Sequence, residues 1–128
     1  MLVPRLLKVR QTIPEMEPFF DAWIKQAGWA VIDYPTDRAG AVPFLGVVDM
    51  GPPKRRACRR LWDRLVILSD GRAVACDQDA AGKLALGNIE SCSLAELWKS
   101  AAALRGRHAC GMWNEIDPCR TCREWHRA

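Results

Sequence analysis

The sequence lacks several features that would place it in whole classes of protein. It has no run of about 18 apolar residues, the length that a membrane-spanning helix requires. Its first residues, MLVPRLLKVRQ, contain too short an apolar run, interrupted by Arg5 and Lys8, to form a secretion signal. It contains no internal repeat and no low-complexity segment. These absences predict a cytoplasmic protein that does not enter a membrane.

Motifs for common enzyme chemistry are missing as well. There is no glycine-rich phosphate-binding loop and no Ser-His-Asp arrangement that the spacing supports. The net charge is only +4, with 19 Lys and Arg against 15 Asp and Glu, and this balance by itself names no partner. What remains is 128 residues that are 49% hydrophobic and 27% charged, which is enough for one modest hydrophobic core.

The first 35 residues alternate strand and helix signals. Residues 2–9 have strand character, and a capping box of Thr12 and Glu15 predicts the start of a helix. Gly28 predicts the end of that helix, and residues 29–33 carry a second strand signal. A strand, a helix and a strand with short joints predict a βαβ unit with parallel strands. The helix is expected to carry one apolar stripe, which consists of Met16, Phe19, Phe20, Trp23, Ile24 and Ala27.

A linker and a second domain are predicted to follow. Residues 36–54 are rich in proline and glycine and favour a linker, so residues 55–128 are expected to form a separate domain. Two alternating apolar runs flank the Asp-Gly pair at residues 70–71, which predicts a β-hairpin with a positive φ in its turn. A second capping box, at Ser93, predicts a helix over residues 94–108. The predicted fold class is therefore α+β, with a βαβ unit followed by a hairpin, a helix and a cysteine-bearing loop.

The six cysteines carry the strongest chemical signal. Without a secretion signal the compartment is expected to be reducing, where clustered thiols more often bind metal or do redox chemistry than form disulfides. Cys119 and Cys122 have the Cys-x-x-Cys spacing of one half of a tetrahedral sulfur site. Because hairpin strands are antiparallel, Cys58 and Cys76 are expected to meet at the base of the hairpin. The four thiols predict one site, and thiolate chemistry alone leaves both zinc and an iron–sulfur cluster open.

The remaining thiols and imidazoles are expected to be structural. Cys92 and Cys110 are predicted to be small buried hydrophobic side chains. His108 is expected in the last helical turn, where the helix dipole favours positive charge. His126 is not expected to be a ligand, because four thiolates already complete such a site.

The sequence between the cysteines resembles a known family. The order is Cys58-x12-Gly71-x4-Cys76, a gap, and then Cys119-x-x-Cys122. Residues 58–100 read CRRLWDRLVILSDGRAVACDQDAAGKLALGNIESCSLAELWKS. This succession of cysteine, hairpin, DG, cysteine, aspartate, LGN and SL-E-W resembles the SPASM/twitch auxiliary-cluster domain at the C-terminus of radical S-adenosylmethionine enzymes.

The resemblance, which covers about residues 55–126, implies a cofactor. One [4Fe-4S] cluster is expected, and a structural zinc site for protein or RNA interaction is the alternative. A full SPASM domain has another cysteine six residues after its Cys-x-x-Cys, and here that position is Ala128, so the chain resembles the shorter twitch form. Trp113 and Trp125 are expected to shield the cluster. Its implied ligands are Cys58, Cys76, Cys119 and Cys122.

The resemblance also implies a role and a partner. The module would carry electrons or position substrate in a radical S-adenosylmethionine reaction. The catalytic cluster of that family needs a Cys-x3-Cys-x2-Cys motif, which this sequence does not contain. The chain is therefore expected to be part or remnant of an enzyme rather than an enzyme alone. Residues 1–35 would end the partial barrel of a radical S-adenosylmethionine core domain or protein, and self-association is the other expectation for them.

The basic stretch KRRACRR, residues 54–60, has three interpretations. A solvated loop is the first. Nucleic-acid binding is not expected, because no stacking aromatic residues stand within the stretch. The third interpretation is docking of an acidic electron donor such as a flavodoxin or ferredoxin, since complementary charge raises encounter rates.

Overall fold

The computed structural model of the chain describes residues 1–49 and 51–127. The described chain forms two compact units, one of residues 1–36 and 43–49 and the other of residues 37–42 and 51–127. The stretch predicted as a linker is therefore shared between the two units. None of the helices in these described ranges is long and apolar enough to cross a membrane.

The first unit is the predicted βαβ arrangement. Strand β1 (Arg5–Leu7) pairs in parallel with strand β2 (Val31–Asp33). A 3-10 helix (Arg10–Glu15) and helix α1 (Met16–Ala27) connect them. Helix α1 ends at Gly28, whose φ of 72° satisfies the left-handed conformation of a helix C-cap.

The predicted start of α1 was wrong, and Pro18 explains why. Thr12 caps the 3-10 helix instead, where its Oγ1 accepts a hydrogen bond from the Val9 amide at 3.1 Å. Because α1 begins at Met16, Pro18 lies in the first turn, where no amide needs an intrahelical partner. A helix that began near Thr12 would place Pro18 in its interior, with its ring against the carbonyl of Pro14.

The first unit buries little of its apolar stripe. Pro35 is the one fully buried residue among its described positions. On α1, Phe20 is 42% exposed and Ile24 is 39% exposed. Phe19 and Trp23 are half-buried against each other, with ring centroids 6.3 Å apart.

The second unit contains an antiparallel three-stranded sheet in the order β3-β4-β5. The predicted turn is present, and Gly71 has a φ of 82°. Strand β5 was not predicted, because residues 77–92 are rich in turn-forming residues. Gly87 on this strand has room only for hydrogen, since a Cβ there would stand 2.7 Å from a methyl carbon of Leu97. The strands are β3 (Val66–Ile67), β4 (Arg72–Val74) and β5 (Ala85–Asn88).

Three α-helices complete this unit: α2 (Arg60–Asp63), α3 (Leu94–Ser100) and α4 (Ala102–Ala109). Two short 3-10 helices, Trp113–Glu115 and Cys119–Thr121, follow α4. The capping box at Ser93 is confirmed, with the Glu96 amide donating to Ser93 Oγ at 3.3 Å. The single helix predicted over residues 94–108 is divided at Ala101. Arg105 donates to the Trp98 carbonyl at 2.8 Å, an acceptor that a continuous helix would have used for its own backbone.

The core of the second unit lies between the hairpin and the helices. Leu61 and Ala75 pack with Cys58 as its buried centre. Leu97, Ile116 and Val74 are other fully buried side chains of the unit. The predicted α+β class is confirmed, with parallel β1 and β2 in one unit and an antiparallel sheet in the other. Partly buried around the centre are Cys76, Leu86, Leu104 and Trp125.

Candidate metal centre

Four cysteines from three separate segments line one cavity in the second unit. The cavity has a volume of about 30 Å³, more than the about 10–15 Å³ that one water molecule needs. Cys58 stands just before α2, and Cys76 follows β4. Cys119 opens the last 3-10 helix, and Cys122 follows its end. The topology thus brings together the thiols whose spacing singled them out.

The hairpin places the first two thiols. Val66 on β3 pairs with Val74 on β4, so the end of β4 lies beside the start of β3. Cys58 belongs to the buried cluster against which Cys76 packs. The two cysteines therefore meet at the hairpin base, while their role as ligands stays a prediction.

The rest of the cavity wall is mostly apolar. Trp125 lines it, as predicted for a shielding tryptophan, whereas Trp113 does not. Asp79 is a polar wall residue, and its carboxylate accepts the Lys83 and Leu84 amides at 2.9 and 2.8 Å. The other wall residues are Ala39, Arg55, Leu61, Ala75, Gln78, Leu84, Leu104, His108 and Pro118.

Backbone amides point at the thiols in a repeated pattern. The Gln78 amide donates to Cys76 Sγ at 3.5 Å, and the Glu124 amide donates to Cys122 Sγ at 3.3 Å. Cys58 accepts a hydrogen bond from the backbone amide of Arg60, two residues later, in the same way. Hydrogen bonds of this kind stabilise a thiolate over a thiol, so these turns suit sulfur ligands.

Burial nevertheless keeps all four thiols protonated in the metal-free chain. It raises the pKa of Cys58 and Cys122 above the ordinary value, and that of Cys76 and Cys119 to about 12. The neighbouring cysteines act on Cys76 and Cys119 in the same direction as burial. A nucleophilic thiol needs a lowered pKa, so these cysteines do not suit covalent catalysis. A metal would displace their protons on binding.

Arg60 connects the segments that carry the thiols. It is 8% exposed, and its Nη1 lies 2.7 Å from both carboxylate oxygens of Asp77, the neighbour of Cys76. Its Nη2 lies 3.7 Å from the buried Glu124, two residues after Cys122. Burial opposes the charge of Arg60, but Asp77 raises its pKa above the ordinary value. One guanidinium therefore ties together three of the cysteine-bearing turns.

The interpretation of residues 54–60 as a solvated loop was wrong for two of its arginines. Arg60 is buried, and Arg55 donates to the Cys119 carbonyl at 2.6 Å. The other cations of the stretch, Lys54, Arg56 and Arg59, are exposed. A run of arginines in the sequence does not reveal which of them finds buried carboxylates and carbonyls.

His108 is a cavity residue that the sequence did not identify. It lies in α4 as expected, but it is only 1% exposed. Its Nδ1 accepts a hydrogen bond from the Cys58 amide at 3.5 Å. Burial, and secondarily Arg55, lowers its pKa to about 4, so the imidazole is neutral rather than the cation expected at a helix end.

The remaining cysteines and histidine lie outside the cavity wall. Cys92 is half-buried. Cys110 is exposed, so its predicted burial was wrong, because it follows the end of α4 at the surface. His126 does not line the cavity. Trp113, which does not line the cavity either, stacks on Arg55, whose guanidinium carbon lies 5.4 Å from the ring centroid.

The described side chains form no site for a single metal ion. Over residues 1–49 and 51–127, no three His, Cys, Asp or Glu side chains converge closely enough to hold a single metal ion. A zinc ion keeps its sulfur ligands at about 2.3 Å and so demands that they crowd around one centre. The donor set is four sulfurs, which is also the set that holds iron–sulfur clusters.

Comparison with known proteins gave one family and one relative. The model of the SPASM family, described as an iron–sulfur cluster-binding domain, matches residues 58–123. An uncharacterized protein of Treponema pallidum (strain Nichols) is 26% identical over 126 residues. The aligned region is 98% of this chain and 34% of that relative, so the chain spans about a third of the relative's length. No solved structure matches the chain.

Proposed function

Because the chain belongs to the SPASM family of iron–sulfur cluster-binding domains, we propose that its cavity holds one [4Fe-4S] cluster. The observation that carries this proposal is that all four cysteines line a single cavity. The proposed ligands are Cys58, Cys76, Cys119 and Cys122.

The residues present fit such a cluster in three respects. Four cysteine sulfurs are a complete ligand set for it. All four cysteines line one cavity, whose volume of about 30 Å³ exceeds what one water molecule needs. Amides from Gln78 and Glu124 already point at two of the sulfurs, and hydrogen bonds to sulfur tune cluster potentials.

When bound, the cluster supplies one-electron redox chemistry. The role that follows is electron transfer or substrate positioning in a radical S-adenosylmethionine reaction, with the catalytic core outside this chain. Two facts support that division. This sequence has no Cys-x3-Cys-x2-Cys motif, and the relative from Treponema pallidum extends far beyond the aligned region. A cytoplasmic location is part of the proposal, since reduced thiols persist there.

The first unit is proposed to complete the barrel of a radical S-adenosylmethionine core. Its two parallel strands have open edges, and parallel sheets are normally covered on both faces. Phe20 and Ile24 are exposed on α1, where a neighbouring barrel element would cover them. Sedimentation of the chain with and without such a core, combined with hydrogen exchange, tests this proposal. A strictly monomeric chain with residues 2–33 well protected would contradict it.

An acidic electron donor, of the flavodoxin or ferredoxin kind, is the proposed redox partner. Lys54, Arg56 and Arg59 stay exposed after Arg55 and Arg60 are engaged. Complementary charge of this kind mainly accelerates encounter, so the rate of cluster reduction should fall as ionic strength rises. A reduction rate that is independent of salt would argue against charge-steered docking.

Purification without oxygen tests the cluster directly. We expect a brown protein with a broad absorption band near ~400 nm and four irons per chain, whereas a zinc protein is colourless. Zinc at one ion per chain, with no iron after reconstitution, would replace the proposal with a structural zinc site.

An activity assay tests the division of labour. The reconstituted chain should form no 5′-deoxyadenosine from S-adenosylmethionine, because it lacks the three-cysteine motif that leaves one iron open. Formation of 5′-deoxyadenosine by the purified chain would contradict the proposed auxiliary role.

A further inference from the structure

Two residues, His108 and Arg55, each have a buried side-chain nitrogen with no hydrogen-bond partner among the described residues. The atoms are Nε2 of His108 and Nε of Arg55. A buried N–H without an acceptor loses the hydrogen bond that it made with water, so unpaired donors of this kind are rare in native proteins. Both residues line the cavity that the four cysteines line. The shared location suggests that their acceptor is a group the cavity is built to receive.

The hydrogen bond to Nδ1 determines what His108 can offer. The Cys58 amide donates to Nδ1, so Nδ1 carries no proton. A neutral imidazole that accepts at Nδ1 carries its one proton on Nε2. His108 therefore presents an N–H, which can donate to sulfur, and not a lone pair, which could bind a metal.

Arg55 is anchored so that its Nε–H is left over. Its Nη2 donates to the Cys119 carbonyl at 2.6 Å, and its Nη1 to the Arg120 carbonyl at 3.5 Å. Trp113 lies under the guanidinium and also beside His108, at centroid distances of 5.4 and 6.2 Å. These contacts hold both donors in place before any cofactor is present.

From this arrangement we infer that His108 and Arg55 donate hydrogen bonds to sulfur atoms of the cluster. The inference rests on the proposed function, because it needs a cluster in the cavity. Donors to cluster or cysteine sulfur stabilise the extra negative charge of the reduced state. The two side chains are positioning residues that raise the reduction potential, and neither is an iron ligand.

The test uses the reconstituted chain, three variants of the two proposed donors and one control variant. His108→Leu removes the donor, and His108→Gln keeps an amide N–H in its place. Arg55→Lys keeps the positive charge and removes the Nε–H. His126→Leu is the matched control, because His126 also has a buried unpaired nitrogen but does not line the cavity.

The readouts are iron content, midpoint potential and nitrogen hyperfine coupling of the reduced cluster by pulsed electron paramagnetic resonance. We expect four irons in every variant. The midpoint potential should be more negative in His108→Leu and in Arg55→Lys, closer to the wild type in His108→Gln, and unchanged in His126→Leu. Wild-type protein labelled with ¹⁵N-histidine should show a weak coupling that His108→Leu loses.

Other outcomes would overturn the inference. A strong nitrogen coupling, with iron lost in a folded His108→Leu variant, would make His108 a ligand. Unchanged potentials in both His108→Leu and Arg55→Lys would mean that neither side chain reaches a sulfur. If His108→Leu does not fold, the midpoint potentials of His108→Gln and Arg55→Lys still test the inference. Absence of iron from reconstituted wild-type protein would overturn the proposed function itself. That result differs from failure of the present inference, in which iron is bound but the potentials do not change.

Discussion

In the first unit, Pro35 is the one described residue that is fully buried, whereas the second unit contains all the buried hydrophobic residues of the described core. Both units have regular secondary structure, but among the described residues only the second has a set of fully buried apolar side chains. Hydrophobic burial is the main favourable term in folding, so the second unit has its own source of stability. Secondary structure and self-sufficient folding are therefore separate properties of these two regions.

The largest expected difference between the units concerns metal. Replacing Cys119 by Ala should remove the cluster and destabilise the second unit, because the free energy of a four-thiolate site is on the order of 10 kcal/mol. The first unit carries none of the four thiols, so its stability should change little. Iron analysis together with thermal unfolding measures both effects, and Cys92→Ala and Cys110→Ala are controls that should keep iron. Full iron content in Cys119→Ala would refute the ligand assignment.

The next effect concerns the guanidinium that joins the cysteine-bearing turns. Arg60→Met should lower the free energy of unfolding by about 3 kcal/mol, because it removes the buried guanidinium from Asp77 and Glu124. The loss is limited because Asp77 keeps Arg64 at 3.3 Å and Glu124 keeps Arg127 at 3.5 Å. Arg59→Met is the matched control. Its pair with Asp63 is exposed at the surface and should cost less than about 0.5 kcal/mol. Equal effects in urea unfolding would show that the Arg60 network is no more important than a surface pair.

Acid should weaken the second unit through His108. Its folded-state pKa of about 4 lies below the ordinary 6.5, with burial as the main cause and Arg55 as the second. Stability is therefore fully present above pH 6.5 and is lost as pH falls toward 4, by roughly 3 kcal/mol. Urea unfolding of the metal-free chain should show a smaller pH dependence in His108→Phe. An identical dependence in variant and wild type would place the acid sensitivity elsewhere, for example at Asp77, whose lowered pKa acts in the same direction.

The smallest effect is expected on the stripe of α1. Ile24→Ala should change the stability of the isolated chain by under about 0.5 kcal/mol, since Ile24 is 39% exposed. Leu61→Ala, at 2% exposure in the second unit, should cost about 2–5 kcal/mol. If Ile24→Ala proved as costly as Leu61→Ala in a monomeric chain, the stated difference between the two units would be wrong, because the stripe would then be covered within the chain.

Local chemistry made parts of both units predictable from sequence. The turn at Gly71, the cap at Ser93 and the end of α1 at Gly28 each depend on a few neighbouring residues. The start of α1 was missed although its signal was local as well, because Pro18 outweighs the capping box at Thr12.

Elements that depend on packing against a neighbouring element were missed. Strand β5 has a turn-rich sequence. The need for glycine at position 87 arises only because Leu97 of α3 packs against it. The break at Ala101 leaves a carbonyl that Arg105 satisfies. Neither contact follows from apolar periodicity or capping residues, because each joins two elements that pack together only after folding.

The sequence by itself determined the spacing of the four thiols, the hairpin that brings Cys58 to Cys76, and the α+β order of elements. Spacing and turn chemistry suffice for these, because they act along the chain. Only the tertiary structure decided that Arg60 is buried between carboxylates and that His108 is neutral with its Nε2 unpaired at the cavity wall. The charge and the hydrogen bonds of a buried side chain are set by the groups that surround it, and those groups come from remote parts of the chain.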